Sequence, residues 1–409
     1  MKALKIQQES RPDKHHEVAI VYNNIGRTFH KMKDYQRALS FYMKGMKIQE
    51  KSLLENNPDL ATTYNNIGQV HSDMGDYIKA EWYHQCAINI RQKCLPENHP
   101  EMAISYNNIA YTFFKRKNYK ESISYYKKAT EILQCCPQSH PNLAAFYHNI
   151  GEVYHEMGDY LKAEQSYKTA LDIQQLFFSD DYGALANRND NLGSLYLQLE
   201  KYPKAILYYK KALALRQESF PKNHPKLAAS FNNIGVLYRR MGNCAEALSN
   251  YEKGLAILRS VLSENDCELA IYNNNIGLAY HEDGQHAKAL FYSKEALKIQ
   301  EKCLPSNHPN LIGIFNNIAL AHCGMRDYFE AISYHIRATE IQHKSFGTNH
   351  WGLAASFNNI ACVCCTIGMY QWAKLFALLA VDIGHRTLPM NHSNNIRYRQ
   401  TLESLTRAA

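Results

Sequence analysis

Histidine, cysteine and asparagine are the residues of this chain that could catalyse a reaction, bind a metal or bind a ligand. The histidines recur at regular positions. Five of the 19 His residues stand directly before a predicted helix, and four of these five precede Pro. That place suits a helix cap better than a general base or a metal ligand. The sequence holds no Gly-rich phosphate loop, His-Glu-x-x-His helix or Gly-x-Ser-x-Gly elbow. We therefore expect no catalytic residue and no enzymatic activity. The five residues are His99, His140, His224, His308 and His350.

Cysteine could bind a metal at Cys362-x-Cys364-Cys365. These neighbours lie on one predicted helix, which cannot direct three of them at one ion. We therefore expect no metal site and no cofactor. Most of the 11 Cys residues fall within helical stretches, where a small apolar residue would serve as well. This distribution favours reduced thiols over a disulfide framework, and with them a cytoplasmic protein.

Paired asparagines are the most regular polar feature. One copy reads Tyr64-Asn65-Asn66-Ile67-Gly68, and its second Asn returns every 42 residues, with one step of 41. Nine copies at a fixed period indicate an array of repeats. The second Asn is present in every copy, which predicts a structural role, with hydrogen bonds to backbone or to the neighbouring repeat. Its nine members are Asn24, Asn66, Asn108, Asn149, Asn191, Asn233, Asn275, Asn317 and Asn359.

The elements that must position these residues can be read from the same period. In the second copy, helix A is predicted over residues 60–73, a turn over 74–77 and helix B over 78–94. Small residues recur at three places and allow the helices to pack closely. The sequence therefore predicts an all-α fold of antiparallel helix pairs. The small residues of this copy are Gly68, Ala80 and Ala87.

The predicted organisation has three parts. Residues 16–388 hold nine repeats of about 42 residues. Residues 1–10 match the end of a helix B, so we expect them to be the tail of a truncated preceding repeat. Residues 391–409 contain one further amphipathic stretch, which we predict to be a C-terminal capping helix.

Composition narrows the class of partner. Hydrophobic residues make up 45% of the chain and charged residues 21%, as in ordinary folded proteins. No apolar run approaches the ~18 residues of a membrane span, so we expect no membrane partner. The net charge of +8 is spread among acidic residues, which argues against a nucleic-acid surface.

This organisation resembles the tetratricopeptide repeat, which is marked by a bulky residue, an aliphatic residue before Gly, and two spaced Ala residues. Tyr64, Ile67, Gly68, Ala80 and Ala87 match that pattern. The usual period is about 34 residues, and the 42-residue form is similar to the repeats of kinesin light chains. HEAT and armadillo repeats have comparable periods but lack this spacing. The resemblance implies a right-handed superhelical solenoid of antiparallel helix pairs.

The resemblance also implies a binding groove. In tetratricopeptide arrays the first Asn position faces the concave side, together with residues three before, four after and seven after it. An Asn side chain donates and accepts at once, so a row of them could hold the backbone of an extended peptide. The alternative is a row of solvated polar side chains. The candidate peptide-binding residues are Asn23, Arg27, His30, Asn65, Gln69, Asn107, His148, Asp190, Asn232, Arg239, Asn274, Asn316 and Asn358.

The groove positions become more apolar in repeats seven to nine, where they include Leu278, Leu320, Cys323 and Cys362. We expect this end either to grip an apolar side chain of the ligand or to pack against the capping helix.

The leading interpretation is a non-enzymatic scaffold that binds an extended peptide of a partner protein. Similarity to kinesin light chains adds acidic peptides with an aromatic residue as candidate ligands. It also adds kinesin heavy chain, or another motor or adaptor complex, as a partner through N-terminal regions that this sequence lacks. The alternative is the recognition tail of a larger enzyme, for example an ADP-ribosyltransferase, with its catalytic domain upstream of residue 1. An RNA-binding solenoid is disfavoured because no continuous basic stripe is present.

Overall fold

The computed structural model describes residues 15–52, 57–135, 140–348, 350–390 and 392–407. Within these ranges the chain forms 19 α-helices and no strand, so the predicted all-α class is confirmed. No helix in these ranges has both the length and the apolar character needed to cross a membrane. The predicted tail at residues 1–10 lies outside the described residues.

The helices fall into two compact units, the first ending at Leu199 and the second beginning at Glu200. The first unit contains α1 His15–Lys31, α2 Tyr35–Ser52, α3 Pro58–Asp73, α4 Tyr77–Cys94, α5 Pro100–Lys115, α6 Tyr119–Gln134, α7 His140–Glu156, α8 Tyr160–Phe177 and α9 Tyr182–Gln198. The second unit contains α10 Tyr202–Ser219, α11 Pro225–Arg240, α12 Cys244–Val261, α13 Cys267–Glu282, α14 His286–Cys303, α15 Leu311–Gly324, α16 Tyr328–Phe346, α17 Trp351–Thr366, α18 Tyr370–Thr387 and α19 Ser393–Arg407.

The A helices begin as the sequence predicts, with a capping side chain before the first turn. The Nδ1 atom of His99 accepts the backbone N–H of Glu101 at 3.2 Å, and His224 and His350 cap α11 and α17 in the same way. The Nδ1 atom of His308 also accepts a backbone N–H, although α15 begins at Leu311 rather than at the predicted Pro309. The described ring nitrogens at this position therefore cap helices.

The turn between helices A and B depends on one residue with positive φ. Gly75 has φ +81°, and the next residue, Asp76, accepts the backbone N–H of Lys79 at its side chain. Glycine adopts this conformation without the steric cost that other residues meet. Asp327 at the same place in its repeat differs from Asp76, because its carboxylate contacts His322 and makes no cap bond.

Small residues bring the two helices of a repeat together. A Cβ atom on Gly151 would lie 2.5 Å from the Tyr167 ring, and one on Gly235 would lie 2.6 Å from the Tyr251 ring. A methyl group at either place would overlap the ring. Helix A therefore needs Gly at these two places, where an aromatic ring of helix B crosses it.

The capping helix α19 closes the apolar surface of the last repeat. Leu405 is 3% exposed and belongs to a cluster with Ile360, Ala361, Cys364 and Ala377. Repeat arrays need such a helix because the final repeat would otherwise leave its stacking face in water.

The structure corrects one expectation about cysteine. Cys267 and Cys303 are bonded as a disulfide, with Cα atoms 6.1 Å apart. The eight other cysteines within the described ranges are free, in line with the prediction of reduced thiols rather than a disulfide framework. The pairing could not be read from the sequence, since the two residues are 36 positions apart and join the start of α13 to the end of α14.

Candidate peptide-binding face

The paired asparagines form a ladder of hydrogen bonds between neighbouring A helices. The second Asn of one repeat donates from Nδ2 to the residue before the second Asn in the preceding repeat, which is Asn in three cases and His148 in one. The predicted structural role of the second Asn is therefore confirmed in these repeats. The contacts are Asn149 to Asn107 Oδ1 at 3.0 Å, Asn275 to Asn232 Oδ1 at 2.8 Å, Asn317 to Asn274 Oδ1 at 2.8 Å, and Asn191 to His148 Nδ1 at 3.2 Å.

In the first two repeats, the first Asn instead contacts a hydroxyl group of the next A helix. Asn23 Nδ2 donates to Thr63 Oγ1 at 2.6 Å, and Asn65 Nδ2 donates to Ser105 Oγ at 2.8 Å. Asn65 Oδ1 also contacts His84 Nδ1 at 3.0 Å, and its side chain is 6% exposed. Asn65 is thus held within the repeat interface.

The remaining first positions have varied surroundings. Asn316 Oδ1 contacts His335 Nδ1 at 2.9 Å and is half-buried, as is Asp190 on α9. Asn358 is 1% exposed and makes a weak contact of 3.9 Å from Nδ2 to Cys362 Sγ. The thirteen candidates therefore do not form one uniform exposed row.

A second set of polar contacts joins the last turns of adjacent A helices. His30 Nε2 contacts Asp73 Oδ2 at 2.7 Å, and Arg239 Nη1 donates to Glu282 Oε1 at 2.6 Å. Gln69 Nε2 also donates to Asp73, at 2.9 Å. Candidate groove residues thus pair with acids of the same face. In α1, Arg27 is exposed, and its Nη2 atom donates to Asn24 Oδ1 at 3.1 Å.

His148 links the ladder to a carboxylate. Its Nδ1 atom accepts from Asn191, and its Nε2 atom lies 3.3 Å from Glu152 Oε1. A neutral ring with its proton on Nε2 satisfies both contacts. The hydrogen bond from His148, reinforced by the charges of Lys115 and Arg188, lowers the pKa of Glu152. The carboxylate is therefore held ionised within the face.

A depression of about 310 Å³ lies on this face in the first unit. Its walls carry charges of both signs, so it suits a polar backbone better than an apolar side chain. The lining residues are Phe114, Lys115, Glu152, His155, Glu156, Tyr167, Asn191 and Ser194.

At the C-terminal end the capping helix lies over the predicted groove positions. Leu402 and Leu405 of α19 pack in the cluster that contains Cys364 and Cys365. Burial raises the pKa of the Cys362 thiol. Packing of α19 against this end of the face is thus one of the two predicted alternatives. No group of three potential metal ligands occurs in the described ranges.

One recurring contact was missed from the sequence. A buried Gln or Arg at the end of helix B reaches a Ser or Thr of the next A helix, always 14 residues later. The recurrence of Gln or Arg at the end of helix B can be seen in the sequence, but its contact with a Ser or Thr of the next A helix cannot. The pairs are Gln49–Thr63 at 2.7 Å, Arg91–Ser105 at 2.6 Å, Arg216–Ser230 at 2.6 Å and Gln342–Ser356 at 2.8 Å.

Comparisons with known proteins agree with this architecture. The family model described as tetratricopeptide repeat matches residues 1–51, 59–134, 142–218, 226–302 and 310–383. Comparison with curated proteins finds no match.

Two solved structures of low sequence identity, NprR and PH0952, share the fold. The quorum sensor NprR from B. thuringiensis is 16% identical, with a TM-score of 0.63 over 83% of this chain and 92% of that chain. The STAND protein PH0952 from Pyrococcus horikoshii, which has a tetratricopeptide repeat sensor, is 14% identical, with a TM-score of 0.60 over 98% of this chain and 56% of that chain. TPR-like repeats of a candidate kinesin light chain from Podosopora anserina are 22% identical, with a TM-score of 0.42 over 48% of this chain and 93% of that chain.

Proposed function

The chain belongs to the tetratricopeptide repeat family, and from this premise we propose that it is a non-enzymatic scaffold that binds an extended peptide of a partner protein. The peptide lies along the face formed by the paired asparagines of the A helices. Its backbone, rather than one particular side chain, supplies most of the contacts.

The observation that carries the proposal is the hydrogen-bonding capacity that the ladder leaves unused. Asn232 Oδ1 accepts from Asn275 Nδ2, and Asn274 Oδ1 accepts from Asn317 Nδ2. Among the described residues no partner takes the Nδ2 donors of Asn232 and Asn274 or the Oδ1 acceptor of Asn275. A peptide backbone offers a C=O and an N–H for these groups.

Charge favours a peptide of mixed or mildly acidic character. Glu282 is already paired with Arg239, so this acid repels an incoming carboxylate less than a free acid would. Lys115 lines the depression on the same face and can meet an acidic side chain. An acidic peptide with an aromatic residue, which the resemblance to kinesin light chains suggests, remains the first ligand to try.

The test replaces Asn with Asp at positions 232 and 274. Aspartate keeps the Oδ1 acceptor that the ladder uses and removes the unused Nδ2 donor. We expect Asn232→Asp together with Asn274→Asp to weaken a peptide selected from a random library by about 1–3 kcal/mol, since each lost hydrogen bond contributes about 0.5–1.5 kcal/mol. The melting temperature should stay near that of the wild type.

Asn89→Asp is the matched control. Asn89 lies on helix α4, and its Oδ1 atom accepts from Gln85 Nε2 at 2.8 Å, so the same change adds a charge there and leaves that acceptor in place. A neutral peptide is titrated as well, so that charge repulsion is separated from the lost donor. Equal affinity of the double variant and the control for the neutral peptide would refute binding by the ladder.

A second candidate function is recognition on behalf of a larger enzyme. PH0952 is named as a signal-transduction ATPase with a tetratricopeptide repeat sensor, and this chain covers 56% of it. Reading the coding sequence upstream of Met1 distinguishes the candidates. A nucleotide-binding or transferase domain there favours the enzyme. A heptad coiled coil favours a subunit that joins kinesin heavy chain or another motor or adaptor complex.

A further inference from the structure

The first residue of the repeated motif can be compared between repeats, because it occupies the same position in each of them. It is aromatic in seven repeats, and in three of them its hydroxyl contacts the preceding helix B. Gln92 Nε2 donates to the Tyr106 hydroxyl at 3.4 Å, Gln134 Nε2 donates to Tyr147 at 2.7 Å, and Tyr64 donates to Glu50 at 3.0 Å. An aromatic ring is therefore the side chain that this slot normally takes.

Repeats five and seven have Asn189 and Asn273 in place of the ring. Asn273 is 2% exposed, and its Nδ2 atom donates to the backbone oxygen of Leu269 at 3.1 Å. Its Oδ1 atom is buried and has no partner within the described ranges. A buried acceptor without a donor is costly. A group that enters this place with an N–H or O–H would satisfy it.

Asn273 lines a pocket of about 490 Å³ in the second unit. Leu262, Leu269 and Ile299 supply apolar walls, and Arg259, Lys298 and Lys302 supply cations. Arg259 occupies the place of Gln92 and has no partner among the residues that the structure describes. Glu264, Asn265 and Glu295 complete the lining.

The first unit contains the equivalent pocket, of about 540 Å³, with Tyr106 in place of Asn273. Gln92 in the first unit corresponds to Arg259 in the second, and Cys135 corresponds to Lys302. Both residues of the second pocket are longer and carry a positive charge. The two pockets therefore differ in chemistry more than in size. One is walled by a ring, and the other has a buried acceptor and more cations.

We propose that the pocket of repeat seven binds a hydroxyphenyl group that carries an anion. The hydroxyl donates to Asn273 Oδ1, the ring packs between Leu269 and Ile299, and the anion lies near Arg259. A small hydroxyaromatic acid and a tyrosine side chain flanked by acids share this chemistry. The site is separate from the asparagine ladder and does not depend on peptide binding there.

Ligand-observed NMR titrations test the site with 4-hydroxyphenylacetate and with phenylacetate, which lacks the hydroxyl. We expect the hydroxylated acid to bind at least about tenfold more tightly, because phenylacetate leaves the buried acceptor unpaired. The peptides Asp-Tyr-Asp and Asp-Phe-Asp form the second arm. Binding of the acid alone identifies a small-molecule site, and binding of the tyrosine peptide identifies a protein side chain as the source.

Variants locate the binding. Asn273→Tyr restores the ring of the other repeats and should abolish binding, whereas Tyr106→Asn should create a weaker site in repeat three. Arg259→Gln should reduce affinity for 4-hydroxyphenylacetate but not for p-cresol, which has no anion. Circular dichroism checks that each variant folds. If Asn273→Tyr does not fold, Arg259→Gln still tests the site, because Arg259 is exposed. Equal affinity for the two acids, binding that survives in folded Asn273→Tyr, or no binding at millimolar concentrations would overturn the proposal.

Discussion

Asn149 donates a hydrogen bond to Asn107 across one repeat, with 3.0 Å between Nδ2 and Oδ1. Both side chains are half-buried, so the contact is partly shielded from water. We expect the two residues to be energetically coupled, since each loses its partner when the other is removed.

A double-mutant cycle measures that coupling. Asn107→Ala, Asn149→Ala and the double variant should give a coupling free energy of unfolding of about 0.5–1.5 kcal/mol by chemical denaturation. The pair Asn107→Ala and Asn191→Ala, which share no contact in the described structure, serves as the control. Additive losses in the first cycle would mean that this contact contributes nothing to stability.

The sequence suggests that Asn66 supports the fold and that Asn65 contacts the ligand. The structure predicts that Asn65 contributes more to stability than Asn66 does. Asn65 is buried and contacts Ser105 and His84, so Asn65→Ala should lower the free energy of unfolding by about 1–3 kcal/mol. Asn66 is half-buried and should tolerate Ala with a smaller loss. Melting curves of the two single variants decide the matter, and a larger loss for Asn66→Ala would contradict the structure.

The Asn65 contacts mark the limit of what the sequence could predict. The period, the helix boundaries and the invariant second Asn follow from the chain itself, because each repeat must reproduce the same packing. The position of Asn65 depends on Ser105 in the next repeat and on His84 where most repeats have Tyr. Ser105 and His84 are residues that vary from repeat to repeat, and a pattern built from what the repeats share does not contain them. The disulfide between Cys267 and Cys303 was missed for the same reason.

His84 should make stability depend on pH. Burial lowers the pKa of His84 from 6.5 to about 3, so the folded chain keeps the ring neutral where the unfolded chain binds a proton. Stability from this residue is therefore complete above about pH 6.5 and declines as the pH falls toward 3. At pH 5 the loss is about 2 kcal/mol relative to neutral pH.

His84→Tyr is the matched variant, since Tyr42, Tyr126 and Tyr167 occupy the same helix-B position in other repeats. Tyrosine does not titrate in this range, so the difference in unfolding free energy between wild type and variant should change by about 2 kcal/mol between pH 7 and pH 5. Urea denaturation at several pH values measures it. Parallel curves for the two proteins would show that His84 titrates normally in the folded state.

The Cys267–Cys303 disulfide should stabilise repeat seven in particular. It joins the first residue of α13 to the last residue of α14, 36 positions apart, and so restricts the unfolded chain. Cys303→Ser should lower local stability by about 3–4 kcal/mol under oxidising conditions. Because repeat arrays couple mainly neighbours, hydrogen exchange should accelerate in α13 and α14 more than in α17 and α18.

Cys94→Ser is the matched control. Cys94 occupies the equivalent place in repeat two, is free and donates to the backbone oxygen of Ile90, so this change should leave hydrogen exchange in α13 and α14 unchanged. Alkylation before reduction provides the direct check, and equal labelling of Cys94 and Cys303 would show that the bond does not form.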